Sequence, residues 1–431
     1  MDGGGCYGYY ACLSHRWGNE GLIKTTKDNI GKHRNSVSWE HLPKTFQDAI
    51  TFTRRLGINF IWIDSLCIIQ DDDTDWHRQA SKMAAIYKQA FVTLAATAST
   101  GGSTGMFTGS LRHIVEHTTP GFGPFQVHFR NRPRHLLLDH PTSFPLLERG
   151  WVYQERLLSP RVIHFGPDEL SWECNQSTNC ECARMSSVSY RPKVMHREAL
   201  EYQGRGVAQM RWHAVIEEYT SCKLSRASDR LIALSGIAEE FKSSQNDRYL
   251  AGLWGRSLIL DLLWLCLNSD QHDAHQKRAP SWSWAAREGR IGYVSAASRI
   301  ERQFARFLDV RCDQVDATSC TGSLIISGPL IRLPKNVKSL GLDGSTKHIY
   351  MDCREADDWL KNGILYGILI AQDASWEISL VLREIEEDAN VFERVGLLEV
   401  RLSKRNQSDH WKQRETGVGY ENAEVATVEI V

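Results

Sequence analysis

Residues 58–63, INFIWI, are a strand-type run broken only by Asn59, and they lead straight into Asp64, Ser65 and Cys67. A continuous apolar strand of this kind is characteristic of a parallel sheet covered on both faces. Helical stretches flank it. In LPKTFQDAITFTRRLG (42–57), Leu42, Phe46, Ala49, Ile50, Thr53 and Leu56 recur at helical spacing, and Gly57 can close the last turn. In DWHRQASKMAAIYKQA (75–90), Trp76, Ala80, Met83, Ala84 and Tyr87 share one side. YYACLS (9–14) and FVTLAAT (91–97) read as further strands. Strand, helix, strand, helix, strand predicts βαβ units and an open, mostly parallel sheet.

The glycine-rich stretch 98–110 reads as a flexible connector, and GPFQVHFR (123–130) as a strand of an inserted segment. Regular structure resumes with a helix through Val152–Leu158 and two strands, RVIHFG and LSWEC, joined by a turn at PDE. From about 205 to 267 the pattern is helical. AGLWGRSLILDLLWLCL (251–267) is too short for a membrane span and is interrupted by Arg256 and Asp261, so it reads as a buried helix. The remainder is β-rich, carried by GSLIISGPLIRL, GILYGILIA and WEISLVLREI. The acidic stretch 383–396 reads as a loop and the last twenty residues as loose.

Among 431 residues, 42% are hydrophobic and 24% charged, the balance of a globular chain with two or three domains. A net charge of −1 removes the main electrostatic argument for nucleic acid or an anionic membrane as partner. Eleven cysteines without regular spacing argue against a secreted disulfide scaffold and for reduced thiols in a cytosolic or nuclear compartment, and a cytoplasmic location is expected. The first residues lack the charged and apolar regions of a signal peptide.

Three blocks, YACLSHRWG (10–18), residues 42–76 and RGWVYQERLLSPRVIHFG (149–166), resemble in order and spacing the signature blocks of the fungal heterokaryon incompatibility (HET) domain family. DRLIALSGIA (229–238), AGLW (251–254) and APSWSWA (279–285) resemble segments that follow the domain in many members. Family members usually carry a longer segment ahead of the first block. The resemblance implies a HET domain over 1–185 with an inserted segment at 98–143, then a helical region at 186–285 and a β-rich region at 286–431. It also implies a remote relationship to TIR domains, a flavodoxin-like sheet, and a role in self/non-self recognition and programmed cell death in filamentous fungi. Some TIR domains hydrolyse NAD.

In an open α/β sheet, ligands bind beyond the carboxyl ends of the strands. Ser14, His15, Arg16 and Trp17 follow one strand; Asp64, Ser65, Cys67 and Gln70 follow another; Trp151, Gln154 and Glu155 lie on the later helix. If the three converge, the cleft suits cleavage of the bond between nicotinamide and ribose, whose oxocarbenium-like transition state a carboxylate stabilises. NAD is then a substrate, and no metal or cofactor is required because nicotinamide leaves as a neutral base. Glu155 is assigned as the catalytic carboxylate and Asp64 as the ribose partner, and the sequence gives no reason against exchanging them. Arg16 can meet a diphosphate, and Trp17 or Trp151 can stack on a ring.

Each residue has a plainer reading. Asp64 can cap the next turn, Glu155 can pair with Arg149, Arg156 or Arg161, and the tryptophans can be packing. Asp71, Asp72, Asp73 and Asp75 precede a helix, where capping explains them better than a cation does. Cys67 with His15 as base offers an alternative, a thiol hydrolase of a small metabolite. No metal site is assigned: the thiols of CNQSTNCEC (174–182) with His164 are spaced more loosely than structural zinc motifs. The expected partners are a nucleotide or other small molecule, and a protein partner or further copies of the chain if the domain is an interaction module instead.

Overall fold

A computed structural model describes residues 8–18, 22–107, 112–119, 123–135, 143–187, 190–202, 206–268, 278–294, 300–314, 319–335, 347–386, 390–402, 420 and 423–431. The chain divides into two units. The first comprises 1–201, 222–224 and 233–237; the second comprises 202–221, 225–232 and 238–431.

In the first unit the elements are β1 (Tyr10–Ser14), α1 (Ile30–Asn35), α2 (Lys44–Arg55), β2 (Phe60–Ile63), the single turn α3 (Asp64–Cys67), α4 (Asp73–Gln89) and β3 (Val92–Ala95). After them come β4 (Arg112–Thr119), β5 (Gly123–Arg130), α5 (Gly150–Leu158), β6 (Arg161–Phe165), β7 (Leu170–Cys174), β8 (Thr178–Cys180) and α6 (Pro192–Glu201). One six-stranded sheet runs β2-β1-β3-β6-β7-β8, while β4 and β5 form a separate hairpin. The first four strands are parallel and the last two antiparallel, with Leu13 beside Ile63 and Ser14 beside Ala95. The expected mostly parallel sheet with helices is therefore present.

Alternation along β1 sorts the two faces. Ala11 and Leu13 pack with Phe46 and Ala49 of α2. Cys12 packs with Met83 and Tyr87 of α4 on the other side. The chain leaves β1 for β2 on one flank and returns to β3 on the other. Their carboxyl ends thus straddle a topological switch point, where connections diverge and leave a crevice.

INFIWI is covered on both faces, and it forms the edge of the sheet: Ile58 and Ile63 are buried and Phe60 is 42% exposed, while the interior positions go to the smaller Ala-Cys-Leu of β1. Helices α2 and α4 cover its two faces through Ile61 and Trp62, so face burial and not a second neighbouring strand made the run apolar.

The glycine-rich stretch after β3 is packed, not loose, over its described residues 98–107. Thr45 N–H donates to Gly102 O at 3.0 Å, Met106 N–H to Asp48 at 2.9 Å, and Gly105 N–H to Thr45 at 3.2 Å. Gly101 lies so close to Gly18 that a Cβ there would meet the Gly18 Cα at 3.3 Å, which is why small residues face each other here.

Gly236, on the 233–237 segment of this unit, is another close approach. A Cβ would stand 2.1 Å from that of Ala84 and 2.9 Å from Gln154 Oε1. In an exposed helix Gly→Ala stabilises by about 1 kcal/mol; here overpacking reverses the sign. Gly236→Ala is expected to lower stability by about 1–3 kcal/mol in urea unfolding. A stabilised variant would show that this packing is looser than drawn.

In the second unit, five strands close on themselves. Cys320–Arg332, Leu365–Gln372, Trp376–Glu386, Val391–Arg401 and Val425–Ile430 pair in that spatial circuit, giving a five-stranded barrel. Leu324, Ile326, Ile368, Leu380, Val428 and Ile430 are fully buried. Two expectations are corrected. Residues 383–396 belong largely to two paired strands, and the chain end supplies the closing strand Val425–Ile430, while 412–419 and 421–422 lie outside the described residues. Both segments looked solvated because polar residues alternate with apolar ones along them, although Arg394 is fully buried.

The middle of the chain is helical at Val207–Thr220 and Ser235–Gln245, but 251–267 is not one buried helix. It breaks into short strands and turns, because the buried Asp261 carboxylate accepts from Trp254 N–H at 2.8 Å, Ser257 Oγ at 2.9 Å and His213 Nε2 at 2.8 Å. The tryptophan motifs meet here. The Nε1 atoms of Trp212 and Trp284 both donate to Gly252 O at 2.9 Å, and a Cβ on Gly252 would strike Trp284 at 2.5 Å. Among the described residues, no helix is long and apolar enough to cross a membrane.

Candidate functional site

The carboxyl end of β1 carries Ser14, on the face that α4 covers. Helix α5 brings Glu155 against it, and Ser14 Oγ donates to Glu155 Oε2 at 2.5 Å across 141 residues of sequence. The Tyr87 hydroxyl of α4 donates to Leu13 O at 3.4 Å and helps to pull the Glu155 carboxyl down. The carboxyl is buried, and burial is the largest influence on it, pushing its pKa up to about 7. The Ser14 bond and the charge of Arg149 pull it down, and the nearby charge of Asp64 pushes it up. A carboxyl poised near neutrality can both give and take a proton.

Asp64 ends β2 and opens α3. Its Oδ1 accepts from Ser65 N–H at 2.7 Å, so the turn-capping reading holds. Its Oδ2 accepts from Trp17 Nε1 at 2.8 Å, which ties the loop after β1 to the end of β2. His15 Nδ1 lies 3.7 Å from Asp64 Oδ1. The imidazole is buried edge-on against Phe46, and burial holds its pKa below the usual value although Asp64 pulls the other way. Gln70 Nε2 donates to the carbonyls of Asp64 (3.2 Å) and Ile68 (3.1 Å). Ser65 is fully buried.

Ser14, His15, Trp17, Asp64, Ser65, Gln70 and Glu155 therefore gather at the ends of β1 and β2. Ser14, His15, Ser65 and Glu155 are buried, whereas Arg16, Trp17, Asp64 and Gln70 are half-buried, and the Asp64 side chain is 19% exposed. Lys24 stands over the Trp17 ring at 4.7 Å. The other three candidates lie differently. Trp151 belongs to the apolar cluster of Cys12, Met83 and Tyr87 and meets Trp76 edge-on. Gln154 is buried and accepts from Gly236 N–H at 2.8 Å. Cys67 lines a cavity of about 370 Å³ with Thr25, His33, Ile61 and Asp75, and burial pushes its thiol up, away from the thiolate a nucleophile needs.

The arginines next to Glu155 in sequence have other tasks. Arg156 pairs with Glu173, and Arg161 donates to Phe91 O. Arg149 Nη1 donates to the His15 carbonyl, a role the sequence did not announce. Tyr87 was legible only as an apolar helix position; its hydroxyl reaches the site because α4 covers the end of β1. Of the acidic run, Asp72 caps α4 by accepting from the N–H groups of Thr74 and Asp75, and Asp75 accepts from Ile69 N–H.

Residues 10–155 match the family model described as heterokaryon incompatibility protein (HET). This segment is a HET domain. Its limits are instructive, since the match opens on the first residue of β1 and closes on Glu155, so that every candidate residue lies inside it. Comparison with curated proteins and with solved structures finds no match to the chain. The HET domain gathers Ser14, Asp64 and Glu155 at the switch point of its sheet.

Proposed function

We propose that the HET domain hydrolyses an N-glycosidic bond, with NAD as the substrate of first choice, in a cytoplasmic self/non-self response of a fungal cell. The observation that carries this reading is the Ser14–Glu155 hydrogen bond at the end of β1, with Asp64 close enough to raise the Glu155 carboxyl. The strand order β2-β1-β3-β6 is that of flavodoxin-like sheets, which supports the remote TIR relationship.

In this scheme the bond between the ribose anomeric carbon and nicotinamide breaks, and its electron pair leaves with the neutral base. Glu155, ionised, stabilises the oxocarbenium-like carbon and then takes a proton from the attacking water. Ser14 orients the carboxylate. Asp64, fixed by Trp17 and the Ser65 N–H, accepts hydrogen bonds from ribose hydroxyls. Arg16 meets the diphosphate, and Trp17 supplies a flat wall. The products are nicotinamide and ADP-ribose, without a cofactor.

A second reading, an interaction module that assembles with a protein partner or with itself, draws on the burial of Ser14, His15 and Glu155 and on the packing role of Gln154. The two separate cleanly. Purified chain incubated with NAD is expected to release nicotinamide, slowly when monomeric because Glu155 is buried, and faster once assembled. An Asp64→Asn, Glu155→Gln double variant is expected to be silent in that assay and harmless when expressed in cells. No release from assembled protein, with undiminished toxicity of the double variant, favours the interaction module.

A further inference from the structure

We propose that His135, Glu169, Cys180 and Cys182 form a structural zinc site that pins the β4–β5 segment to the antiparallel edge of the HET domain's sheet. The four residues come from three places: the chain after β5, the turn between β6 and β7, and the end of β8. One ligand atom from each lies within 4.8 Å of all the others. This is not the set that the cysteine spacing pointed to. Cys174 hydrogen-bonds Ser177, and His164 bonds Thr97 and Glu173.

The separations are near those a tetrahedral ion needs. Zinc–sulfur bonds of about 2.3 Å and zinc–nitrogen or –oxygen bonds of about 2.0–2.1 Å require ligand–ligand edges of roughly 3.3–3.8 Å. Cys180 Sγ is 3.5 Å from Cys182 Sγ, which is 3.5 Å from Glu169 Oε1 and 3.9 Å from His135 Nε2. The other ring nitrogen, His135 Nδ1, lies 2.8 Å from Glu169 Oε1, so one of the two nitrogens would ligate the ion and the other would face away from it. Closing the four ligand atoms, now within 4.8 Å of one another, onto one ion requires the widest separation to shorten by about an ångström.

Charge and burial point the same way. His135 is fully buried, Glu169 and Cys180 nearly so. Two thiolates and a carboxylate against one divalent ion leave one negative charge, and Arg130 Nη2 lies 3.5 Å from Glu169 Oε2 to meet it. Backbone N–H groups face the ligands as they do in closed zinc sites: Met185 N–H points at Cys180 Sγ (3.5 Å) and Cys182 N–H at Glu169 Oε2 (3.1 Å). Paired thiolates with an imidazole favour zinc over magnesium or calcium. The neighbouring Arg134–Asp168 pair at 2.7 Å already joins the same two loops, so the ion adds a rigid clamp where the chain is being held.

The test uses the full chain, produced with zinc in the medium and desalted. Elemental analysis is expected to find about one zinc per chain, and cobalt exchange is expected to give the visible bands of a tetrahedral thiolate complex. Cys180→Ser with Cys182→Ser should lose both signals, Cys174→Ser should keep both, and Glu169→Gln should weaken zinc retention against a chelator by at least about tenfold. Should the double variant fail to fold, Glu169→Gln and chelator titration of the wild-type chain decide the matter. A folded wild-type chain that holds no zinc and takes up no cobalt, or a double variant that retains its metal, overturns the proposal.

Discussion

At pH 8, Glu155→Gln is expected to stabilise the HET domain by on the order of 2–3 kcal/mol while removing nicotinamide release. The stabilisation follows from the raised carboxyl. Its usual value of 4.5 rises to about 7 in the folded chain, chiefly through burial. The folded state therefore holds the proton more tightly than the unfolded chain does. Between about pH 4.5 and 7 the wild type loses stability as pH rises, and above 7 the full cost of the buried charge is present. Glutamine keeps an acceptor for Ser14 and carries no charge, so that loss disappears. Urea unfolding at pH 5 and pH 8 measures it: the two proteins should agree more closely at pH 5 and separate at pH 8. An equal difference at both values would mean that Glu155 is not held as a strained carboxylate. In the NAD assay the same change should cost about 10²–10⁴-fold, the weight of a positioned proton-transfer group. A residue that destabilises its own fold is best explained by what it does there.

The opposite behaviour is expected at a second buried carboxylate of the first unit, Glu173. Glu173 is fully buried on β7 and meets one cation and one imidazole: Arg156 Nη2 at 2.6 Å and His164 Nε2 at 2.9 Å. Burial alone pushes its carboxyl up. The charge and hydrogen bonds of Arg156, with the bond from His164, outweigh burial and hold it well below the usual carboxylate range. Glu173→Gln leaves the Arg156 guanidinium without its counter-charge in the interior and is expected to cost about 3–5 kcal/mol in urea unfolding. An Arg156→Met, Glu173→Leu double variant should recover much of that loss, because apolar isosteres carry no desolvation penalty. A single-variant cost below about 1 kcal/mol would show that the pair contributes little.

Acid acts on this network in a defined direction. The depressed Glu173 carboxyl supplies stability above its unfolded value, and that stability is lost as pH falls through the folded one. His164 is held neutral by burial, below its usual 6.5, so acidification below that point charges the unfolded chain first and weakens the fold further. Glu155 runs against both.

Several elements were legible because their cause is local. The apolar spacing of 42–57 and 75–90 announced α2 and α4, and the strand runs at 9–14 and 91–97 announced β1 and β3. The acidic run before α4 was legible as capping for the same reason: Asp72 bonds N–H groups two and three residues away. What stayed illegible depended on contacts that a local apolar pattern does not show. INFIWI carries no mark of being an edge, since its faces are covered whichever side its neighbour lies. Residues 383–396 and the chain end looked like solvated loops until their strands closed a barrel. The stretch 251–267 looked helical until Asp261 folded it around its own carboxylate.

The amino-acid sequence by itself determined the order of strands and helices and put Ser14 and Asp64 at strand ends and Glu155 on a helix, because periodicity and capping act over a few residues. Only the tertiary structure decided that Ser14 would bond Glu155, that Arg149 and Tyr87 would join them, and that His135 would meet Cys180 and Cys182. Those meetings depend on which strand lies beside which and which helix covers which face. Such choices are settled by burial summed over the whole sheet, and no short window of residues contains that sum.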